Sequence, residues 1–464
     1  MNINNIILSA DSYKFSHYKQ YPPKTTKVFA YIESRGGKYP ANLFVGLQIF
    51  IKEKLLRRIT KEDVMEAKEY ITKHMGPDLF NEEGWMMIVN EFGGKLPVEI
   101  KAVPEGTLVP TGNVLVTIEN TDPRFFWLVS FLETALLRAV WYPTTVATNS
   151  WASKQVIKKY LEETGDPSLI NFKLHDFGAR GVSSSESAGI GGLAHLVNFM
   201  GTDTVEALVY AREYYGEDMA GFSIPASEHS TMTSWGGRNG EVVAMRNMLE
   251  QYAKPGALLA CVSDSYDIFN AVENLWGGEL KQEVIDSGAT LVIRPDSGDP
   301  ASVVLRVVTL IDKTFGSVVN AKGYKVLNNV RVIQGDGIVT ETIGEILAVL
   351  KDAGYSADNV AFGQGGGLLQ QVNRDTSKFA MKTSAAEIDG EWIDVFKDPI
   401  TDSGKRSKKG RITLFRNNET GEFTTGRIGE GNNPYIEDVM VTVFKNGELM
   451  KDYTLSEVRA NSNK

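Results

Sequence analysis

The chain has 464 residues, of which 42% are hydrophobic and 23% charged, with 44 glycines and 16 prolines. This composition is typical of an ordered globular protein of about two or three domains and excludes a disordered or collagen-like chain. The chain has 49 basic and 58 acidic residues, so its net charge is −9. It therefore lacks the overall positive field that holds nucleic acids or anionic membranes.

A single cysteine, Cys261, excludes an intramolecular disulfide framework and favours the reducing cytoplasm. Only a short apolar run precedes Asp11, so the N-terminus lacks the apolar segment of a secretory signal. The most apolar helical stretch, 125–141, is interrupted by Glu133 and Arg138, whereas a membrane span needs about 18 apolar residues or more. We therefore expect a cytoplasmic protein that does not span a membrane.

The first predicted elements are antiparallel strands. Apolar and polar residues alternate within 23–35 and again within 97–119, which is typical of sheets with one face on a core. We assign these strands to a β-rich α+β domain that begins at residue 1 and runs to about residue 165.

The middle of the chain, 166–375, repeats one pattern: an apolar run, a polar or glycine-bearing turn, and an amphipathic segment. Ile343, Ile346, Leu347 and Leu350 form one helical stripe that ends before Gly354. This pattern predicts parallel βαβ units and an irregular α/β barrel of about seven strands. The predicted strands lie at 258–262, 290–294, 330–334 and 359–363 and, less clearly, at 171–176, 197–201 and 221–226.

The last part of the chain returns to short strands. Turns are expected at Asn417–Asn418 and at Asn446–Gly447. We therefore predict that 376–464 completes the α+β domain of 1–165, and that the barrel of 166–375 is inserted between its two halves.

Polar or glycine-rich turns follow the predicted barrel strands, where ligands of parallel α/β folds bind. Any one of them is ordinary turn chemistry, but their repetition at one face predicts a ligand site. The turns read HDFGARG (175–181), GTDT (201–204), ASEHS (226–230), SDSYD (263–267), RPDSGD (294–299), QGDG (334–337) and GQGGG (363–367).

The glycine turns indicate a phosphorylated ligand, because they leave backbone N–H groups uncovered before a helix. The chain has no GxxxxGK[ST] loop, and Leu368 stands where a GxGxxG motif needs its third glycine. Arg180 and Arg294 follow strands and could either bind phosphate oxygens or pair with a neighbouring Asp.

His229 is the only one of five histidines at a strand end beside acidic and hydroxyl neighbours, and no HxH or HExxH spacing offers a metal pair. It could act as a nucleophile or simply begin a helix. Asp267 and Asp296 follow neighbouring strands, so their carboxylates could face Mg²⁺ on a polyphosphate or developing positive charge. Charge-stabilised group transfer is the reaction class that these residues favour.

Several of these motifs, in chain order, resemble the nicotinamide phosphoribosyltransferase family. The matching strings include DSYKFSHYKQYPP, KLHDFGARGVSS, VSDSYDIFNA, IRPDSGDP, VIQGDG and FGQGGGLLQ. The resemblance implies the type II phosphoribosyltransferase fold and a pentosyltransferase that joins nicotinamide to the sugar of 5-phosphoribosyl 1-pyrophosphate. It also implies Mg²⁺, ATP hydrolysis coupled through phospho-His229, and a homodimer with shared active sites.

The resemblance also implies roles for individual residues. Phe177 and the partner's Tyr13 stack on the pyridine ring, and Asp203 accepts the carboxamide hydrogens. His229 is phosphorylated with Asp267 beside it, and Asp296 contacts the ribose. The remaining ligand positions are Arg180, Arg294, Gly335, Asp336, Gly366 and Arg374 from the partner, with further basic positions at Arg35, Lys382, Lys397 and Lys405.

Two other interpretations remain open. A nicotinate phosphoribosyltransferase of the same fold is disfavoured by Asp203, whose carboxylate would repel a carboxylate substrate. A barrel that binds or signals without catalysis is disfavoured by the presence of His229, Asp267 and Arg294.

Overall fold

The chain folds into two units, which the computed structural model describes over residues 4–401, 406–430 and 433–464. One unit comprises Met1–Thr148, Glu213–Glu217 and Asn373–Lys464, and the other comprises Asn149–Arg212 and Asp218–Val372. The first division between these units falls inside the helix Glu133–Thr164, and the domain limit at residue 165 stays a prediction. A continuous helix carries no turn signal, so sequence patterns do not mark such a boundary.

Strands of the first unit are β1 Thr25–Ser34, β2 Ala41–Leu43, β3 Val98–Ala102, β4 Leu108–Pro110 and β5 Val114–Asn120. The second unit contributes β6 Leu174–Asp176, β7 Gly201–Thr202, β8 Leu258–Val262, β9 Thr290–Arg294, β10 Ser317–Val319, β11 Lys325–Leu327, β12 Val330–Gln334 and β13 Val360–Gln364. The first unit is completed by β14 Phe379–Ile388, β15 Glu391–Asp394, β16 Ile412–Asn417, β17 Phe423–Arg427, β18 Ile436–Asp438, β19 Val441–Lys445 and β20 Glu448–Leu449.

Helices α1 to α5 are Leu47–Phe50, Lys61–Met75, Glu82–Phe92, Phe126–Phe131 and Glu133–Thr164. Helices α6 to α10 are Ser185–Leu196, Val205–Tyr215, His229–Thr233, Glu241–Tyr252 and Ile268–Asn270. Helices α11 to α15 are Lys281–Ser287, Pro300–Phe315, Thr340–Asp352, Gly366–Leu369 and Leu455–Ser462. Within the described ranges, no single helix has the length and hydropathy to cross a membrane; Pro123–Phe131 and Glu133–Thr164 meet those criteria only as a pair bent by 46°.

The first unit is built on a seven-stranded sheet of order β15-β14-β1-β5-β3-β19-β20, and its strand pairs are antiparallel. β1 and β5 are almost entirely buried. Asn446 and Gly447 both have positive φ and join β19 to β20, as a tight hairpin requires. The antiparallel prediction for both ends of the chain is confirmed.

The second unit contains a parallel six-stranded sheet of order β7-β6-β13-β12-β9-β8, curled into part of a barrel. Ile343, Ile346, Leu347 and Leu350 of α13 are buried in the core cluster that also contains outward-facing strand residues. The predicted α/β barrel inserted in a β-rich α+β domain is confirmed.

The predicted seventh strand, 221–226, forms only two isolated bridges. Phe222 pairs with Gly201 at one edge of the sheet and Ala226 pairs with Ala260 at the other. Pro225 lies between them and has no N–H group, so a regular ladder cannot run through this segment. The segment therefore pairs with β7 at one end and with β8 at the other without forming a full strand.

The strand predicted at 197–201 is shortened to β7. The N–H groups of Asn198 and Phe199 both donate to the carbonyl of His195, so the end of α6 takes up residues that the apolar pattern assigned to a strand. Local helix-end bonds thus override the apolar run.

Candidate active site

A small apolar layer fills the inside of the curled sheet. Buried Ala260, Val292 and Ile333 form it, whereas the residues just before them on the same strands belong to the core under the helices. The strand-end turns begin one to three residues beyond this layer. The partly buried side chains packed against it are Phe177, Ile224 and Ala361.

The Phe177 ring lies over the ends of two strands. A Cβ added to Gly363 would be 2.0 Å from this ring, and one added to Gly335 would be 3.6 Å from it. The Phe177 N–H donates to the carbonyl of Gln364 at 3.0 Å. The close approach of the ring therefore requires glycine at 363. The sequence pattern GQGGG predicts only a phosphate-binding turn here.

Three glycine-bearing segments meet beside Phe177. A Cβ on Gly181 would lie 3.5 Å from the Cα and N atoms of Gly366, and the Cβ position of Gly366 has nothing within 4 Å. Gly366 begins α14, and first-turn N–H groups lack helical partners. A Cβ on Gly335 would be 3.6 Å from Oδ1 of Asp296, whereas the side chain of Asp336 is exposed. This arrangement leaves room for an anion beside the backbone of Gly366.

The Asp203 carboxylate is exposed just after β7 and accepts a hydrogen bond from the Ser223 hydroxyl. The backbone N–H of Asp203 donates to the carbonyl of Asp176 at 2.9 Å. Because the carboxylate bonds across to the 221–226 segment, its position is set by a tertiary contact. An Asp between a strand and a helix can also cap the helix, here α7. The bond from Ser223 is a different contact.

The two strand-end arginines differ in their partners. Arg294 donates from Nη2 to Oδ2 of Asp296 at 3.0 Å, and its Nε is buried without a partner among the described residues. Arg180 is exposed in the short helical turn Ala179–Gly181. Both positions can offer charged N–H groups to an anionic ligand.

His229 begins α8 and contacts Asp264. Its Nε2 lies 2.9 Å from Oδ1 of Asp264, with the His229 side chain 46% exposed and that of Asp264 only 5% exposed. Oδ2 of Asp264 accepts from the N–H of Asp296 at 3.1 Å and from the Ser297 hydroxyl at 2.6 Å. A buried, fixed carboxylate thus orients an accessible imidazole.

The carboxylate beside His229 is therefore Asp264, and the expected placement of Asp267 there is corrected. Oδ1 of Asp267 accepts from the N–H groups of Phe269 and Asn270 at 3.0 and 3.1 Å. Asp267 directly precedes α10, where an Asp side chain satisfies the free N–H groups of the first turn.

Burial changes the titration of several groups around the site. It raises the pKa of Asp176 to about 6 and lowers the pKa of His175. It also raises the pKa of Cys261 to about 12, so this thiol stays protonated and unreactive at neutral pH.

The remaining predicted ligand residues belong to the other unit. Tyr13 is 56% exposed in the 3₁₀ helix Ser12–Lys19, and exposed Arg374 pairs with Asp375. Burial lowers the pKa of Lys382. Arg35 and Lys397 lie in the same unit. Lys405 lies outside the described residues.

Four contributors were not singled out from the sequence: Asp264, Ser223, Gly363 and Asp176. Of these four, only Asp264 could have been identified from the local sequence. In SDSYD, Asp267 stands at a helix start, which leaves Asp264 as the carboxylate that can face the site. Ser223 and Gly363 act through contacts between segments distant in sequence, whereas the side chain of Asp176 accepts a hydrogen bond from the nearby N–H of Gly178. In the part of the chain that the structure describes, no group of three or more His, Cys, Asp or Glu side chains is arranged to hold a metal ion.

The chain matches the model of the nicotinate phosphoribosyltransferase (NAPRTase) family over residues 172–448. Residues 5–100 match the model of the N-terminal domain of nicotinamide phosphoribosyltransferase. The chain is 56% identical to the nicotinamide phosphoribosyltransferase of Xanthomonas campestris pv. campestris, over 99% of this chain and 98% of that protein. It is 34% identical to the protein of the same name from Mycoplasma genitalium, over 88% of this chain and 96% of that protein.

Solved structures show the same fold at low identity. The nicotinate-nucleotide pyrophosphorylase of Pyrococcus furiosus matches with a TM-score of 0.64 and 17% identity, over 100% of this chain and 96% of that one. Human nicotinic acid phosphoribosyltransferase matches with a TM-score of 0.58 and 17% identity, over 98% and 92% of the two chains.

Proposed function

The chain belongs to the nicotinate phosphoribosyltransferase family of pentosyltransferases, and we propose that its acceptor is nicotinamide. In the proposed reaction the phosphoribosyl group of 5-phosphoribosyl 1-pyrophosphate moves to the pyridine nitrogen. The products are nicotinamide mononucleotide and pyrophosphate, which makes the reaction a salvage entry to NAD. The name shared by the full-length relatives supports this proposal.

The observation that carries the choice of nicotinamide is the Asp203 carboxylate. It is exposed after β7, held by Ser223, and bonded through its backbone to the residue before Phe177. A carboxylate accepts hydrogen bonds from a carboxamide NH₂, whereas it repels the carboxylate of nicotinate. The same contact therefore favours the amide and disfavours the acid.

Stacking on Phe177 positions the pyridine ring. The ring of Phe177 packs on the apolar layer and over Gly363, so it is a fixed plate. We assign the second plate to the partner's Tyr13. Stacking alone does not distinguish the amide from the acid, which leaves that choice to Asp203.

The glycine segments bind the sugar's 5′-phosphate. We assign this phosphate to the backbone N–H groups of Gly366 and of the Gly335–Asp336 turn, with Arg180 as a charged donor. Binding the phosphate and the pyridine at once brings the ring nitrogen to C1 of the ribose and removes most of the entropic cost of the encounter.

Bond cleavage is assisted by fixed charges. The C1–oxygen bond breaks and its electron pair leaves with pyrophosphate, while the nitrogen lone pair forms the new bond to C1. The Asp296 carboxylate, held by Arg294, stabilises positive charge on the sugar. Arg294, with the partner's Arg374, neutralises the departing pyrophosphate.

His229 couples ATP to this reaction. The bond from Nε2 to Asp264 keeps the proton on that nitrogen, which leaves the lone pair on Nδ1. Nδ1 attacks the γ-phosphorus of ATP, and ADP leaves. The phosphohistidine then places negative charge beside the pyrophosphate site.

Mg²⁺ accompanies the polyphosphates in this proposal. Asp264 and Asp296 are already bonded to His229, Ser297 and Arg294, so pyrophosphate oxygens would supply most of the ligands of a bound Mg²⁺ ion. Mg²⁺ neutralises phosphate charge when bound. The single buried thiol, Cys261, is consistent with the reducing cytoplasm as the compartment.

The decisive experiment measures product formation from 5-phosphoribosyl 1-pyrophosphate with labelled nicotinamide or labelled nicotinate, each with and without ATP. We expect kcat/KM for nicotinamide to exceed that for nicotinate, and ATP to raise product yield. Turnover of nicotinate alone would establish the alternative, a nicotinate phosphoribosyltransferase of the same fold. Turnover of neither would leave a binding protein without this activity.

A further inference from the structure

Asp176 lies at the end of β6, directly before Phe177, and is fully buried. Its side chain points away from the inside of the curled sheet, because a Cβ on Gly192 of α6 would lie 3.0 Å from its Oδ2. Asp176 therefore has no surface with which to touch a substrate, although Phe177 and Arg180 closely follow it in the chain and the N–H of Asp203 donates to its carbonyl.

Asp176 connects the segments that carry those residues. Its Oδ1 accepts from the N–H of Gly178 at 2.7 Å, inside the turn from Phe177 to Arg180. Its carbonyl accepts from the N–H of Asp203 at 2.9 Å. Its register partner on β13 is Gln364, whose carbonyl accepts from the N–H of Phe177.

The acceptor oxygen Oδ1 of Asp176 has a hydrogen-bond partner, but no positive group among the described residues pairs with the negative charge of Asp176. Its Oδ2 has no hydrogen-bond partner among the described residues, and the Thr204 hydroxyl beside it lacks the geometry of a regular hydrogen bond. The titratable groups that face it, Asp203 and Glu206, are also acidic. A negative charge on Asp176 is therefore unfavourable in these surroundings. Its oxygen Oδ1, in contrast, accepts a hydrogen bond from Gly178.

We propose that Asp176 is a positioning residue that holds the turn from Phe177 to Arg180 through its acceptor oxygen Oδ1 and not through its charge. Asp176 thus positions both Phe177, which stacks on the pyridine ring, and Arg180, which donates hydrogen bonds to the phosphate, because both residues belong to the same turn. The inference rests on the proposed function for its kinetic test, but its structural test does not need any turnover.

Two variants of similar shape separate the acceptor from the charge. Asp176→Asn keeps the acceptor oxygen and removes the charge, whereas Asp176→Leu keeps the branched shape and removes both. We expect kcat/KM of Asp176→Asn for nicotinamide to stay within about twofold of wild type. For Asp176→Leu we expect a loss of roughly 10- to 100-fold, with raised KM for both nicotinamide and 5-phosphoribosyl 1-pyrophosphate.

A control variant measures the effect of removing a carboxylate elsewhere in the same unit. Oδ2 of Asp312 is bonded to Lys325 and Tyr355, so Asp312→Ala should lower the melting temperature without raising either KM. Equal losses in Asp176→Asn and Asp176→Leu would mean that the charge is needed. Wild-type kinetics in Asp176→Leu, with only a lower melting temperature, would mean a purely structural role. Either result overturns the proposal.

Hydrogen exchange provides the readout that is independent of activity. In Asp176→Leu the amide of Gly178 should exchange faster than in wild type, and in Asp176→Asn at the wild-type rate. If wild type does not use nicotinamide, the proposed function fails while this comparison still decides the positioning role. If Asp176→Leu does not fold, Asp176→Ala replaces it, and an Asn variant with slowed turnover and rapid Gly178 exchange would still overturn the proposal.

Discussion

At the scale of single residues, the orientation of Asp203 depends on one hydroxyl group. Ser223 donates to the carboxylate from a segment that bridges both edges of the sheet. The local sequence GTDT predicts only that an acidic side chain follows a strand. The tertiary contact makes it a fixed acceptor.

Asp203→Asn should shift substrate preference toward nicotinate. The variant replaces a charged acceptor with a neutral amide, a loss of about 1.5–3 kcal/mol, so kcat/KM for nicotinamide should fall by roughly one to two orders of magnitude. Use of nicotinate should rise because the like-charge repulsion is removed. Steady-state kinetics with both substrates test this, with the KM for 5-phosphoribosyl 1-pyrophosphate as internal control. An unchanged amide-to-acid ratio would remove Asp203 from substrate recognition.

The His229–Asp264 pair should carry the ATP-dependent step. Incubation with ATP and Mg²⁺ should yield an acid-labile, base-stable phosphoprotein, and His229→Ala should abolish it while weak phosphoribosyl transfer survives. Asp264→Asn should slow phosphorylation by roughly 100-fold, because the imidazole loses its orienting carboxylate. His74→Ala is the control, since exposed His74 contacts only Ser12 among the described hydrogen bonds. Phosphate found by mass spectrometry on another residue would contradict the assignment.

Asp176 should make stability depend on pH. Its pKa in the folded state is about 6, raised by burial from the ordinary 3.8, with Asp203 and Glu206 adding to the rise. The folded protein thus binds this proton more tightly than the unfolded chain, and stability is lost as pH rises from about 4 through about 6. Asp176→Asn should be more stable than wild type at pH 8, by at most about 3 kcal/mol. Melting temperatures at pH 5 and pH 8 test this: the advantage should shrink at pH 5, and an equal advantage at both would exclude ionisation as the cause.

At the scale of elements, the close approach of the Phe177 turn to the end of β13 depends on a glycine. The Gly363 backbone passes directly under the ring, so residues from two adjacent strands form one surface. The sequence string GQGGG indicates flexible backbone without saying which glycine is needed for packing.

Gly363→Ala should displace the ring and weaken pyridine binding. The added methyl group would lie 2.0 Å from a ring carbon, so we expect a loss of about 1–3 kcal/mol in stability and a raised KM for nicotinamide. Gly344→Ala is the matched control, because its Cβ would meet Val156 at an ordinary 3.6 Å within α13; there alanine should be neutral or stabilising. Equal melting temperatures and KM values for the two variants would show that the ring adapts freely.

At the scale of the whole molecule, we predict that Phe177 shares its substrate site with Tyr13 and Arg374. The family resemblance assigns Tyr13 and Arg374 to a second subunit. A homodimer with shared active sites remains a prediction.

Complementation between two inactive variants tests the shared site. Tyr13→Ala and Phe177→Ala proteins should each be nearly inactive, whereas a mixed dimer contains one site with both plates intact. After random mixing, activity should return at about a quarter of the sites. Each variant mixed with itself is the control. No recovery in verified heterodimers would place both plates on the same subunit.

The sequence by itself determined the parallel barrel, the antiparallel sheet at the chain ends, and the cluster of polar turns at the strand ends. It did so because hydrophobic periodicity and turn residues act over short distances along the chain. The family motifs added the expected pyridine, phosphate and histidine positions. The structure confirms the fold and places the barrel residues at their strand ends.

Only the tertiary structure decided which side chains contact one another. Asp264 and not Asp267 meets His229, because Asp267 is used at a helix start while the β8 and β9 ends bring Asp264 to Asp296. Likewise Ser223 meets Asp203, and the Phe177 ring covers Gly363. Such contacts join segments far apart in sequence, and their partners depend on strand order and side-chain packing, which local periodicity does not encode.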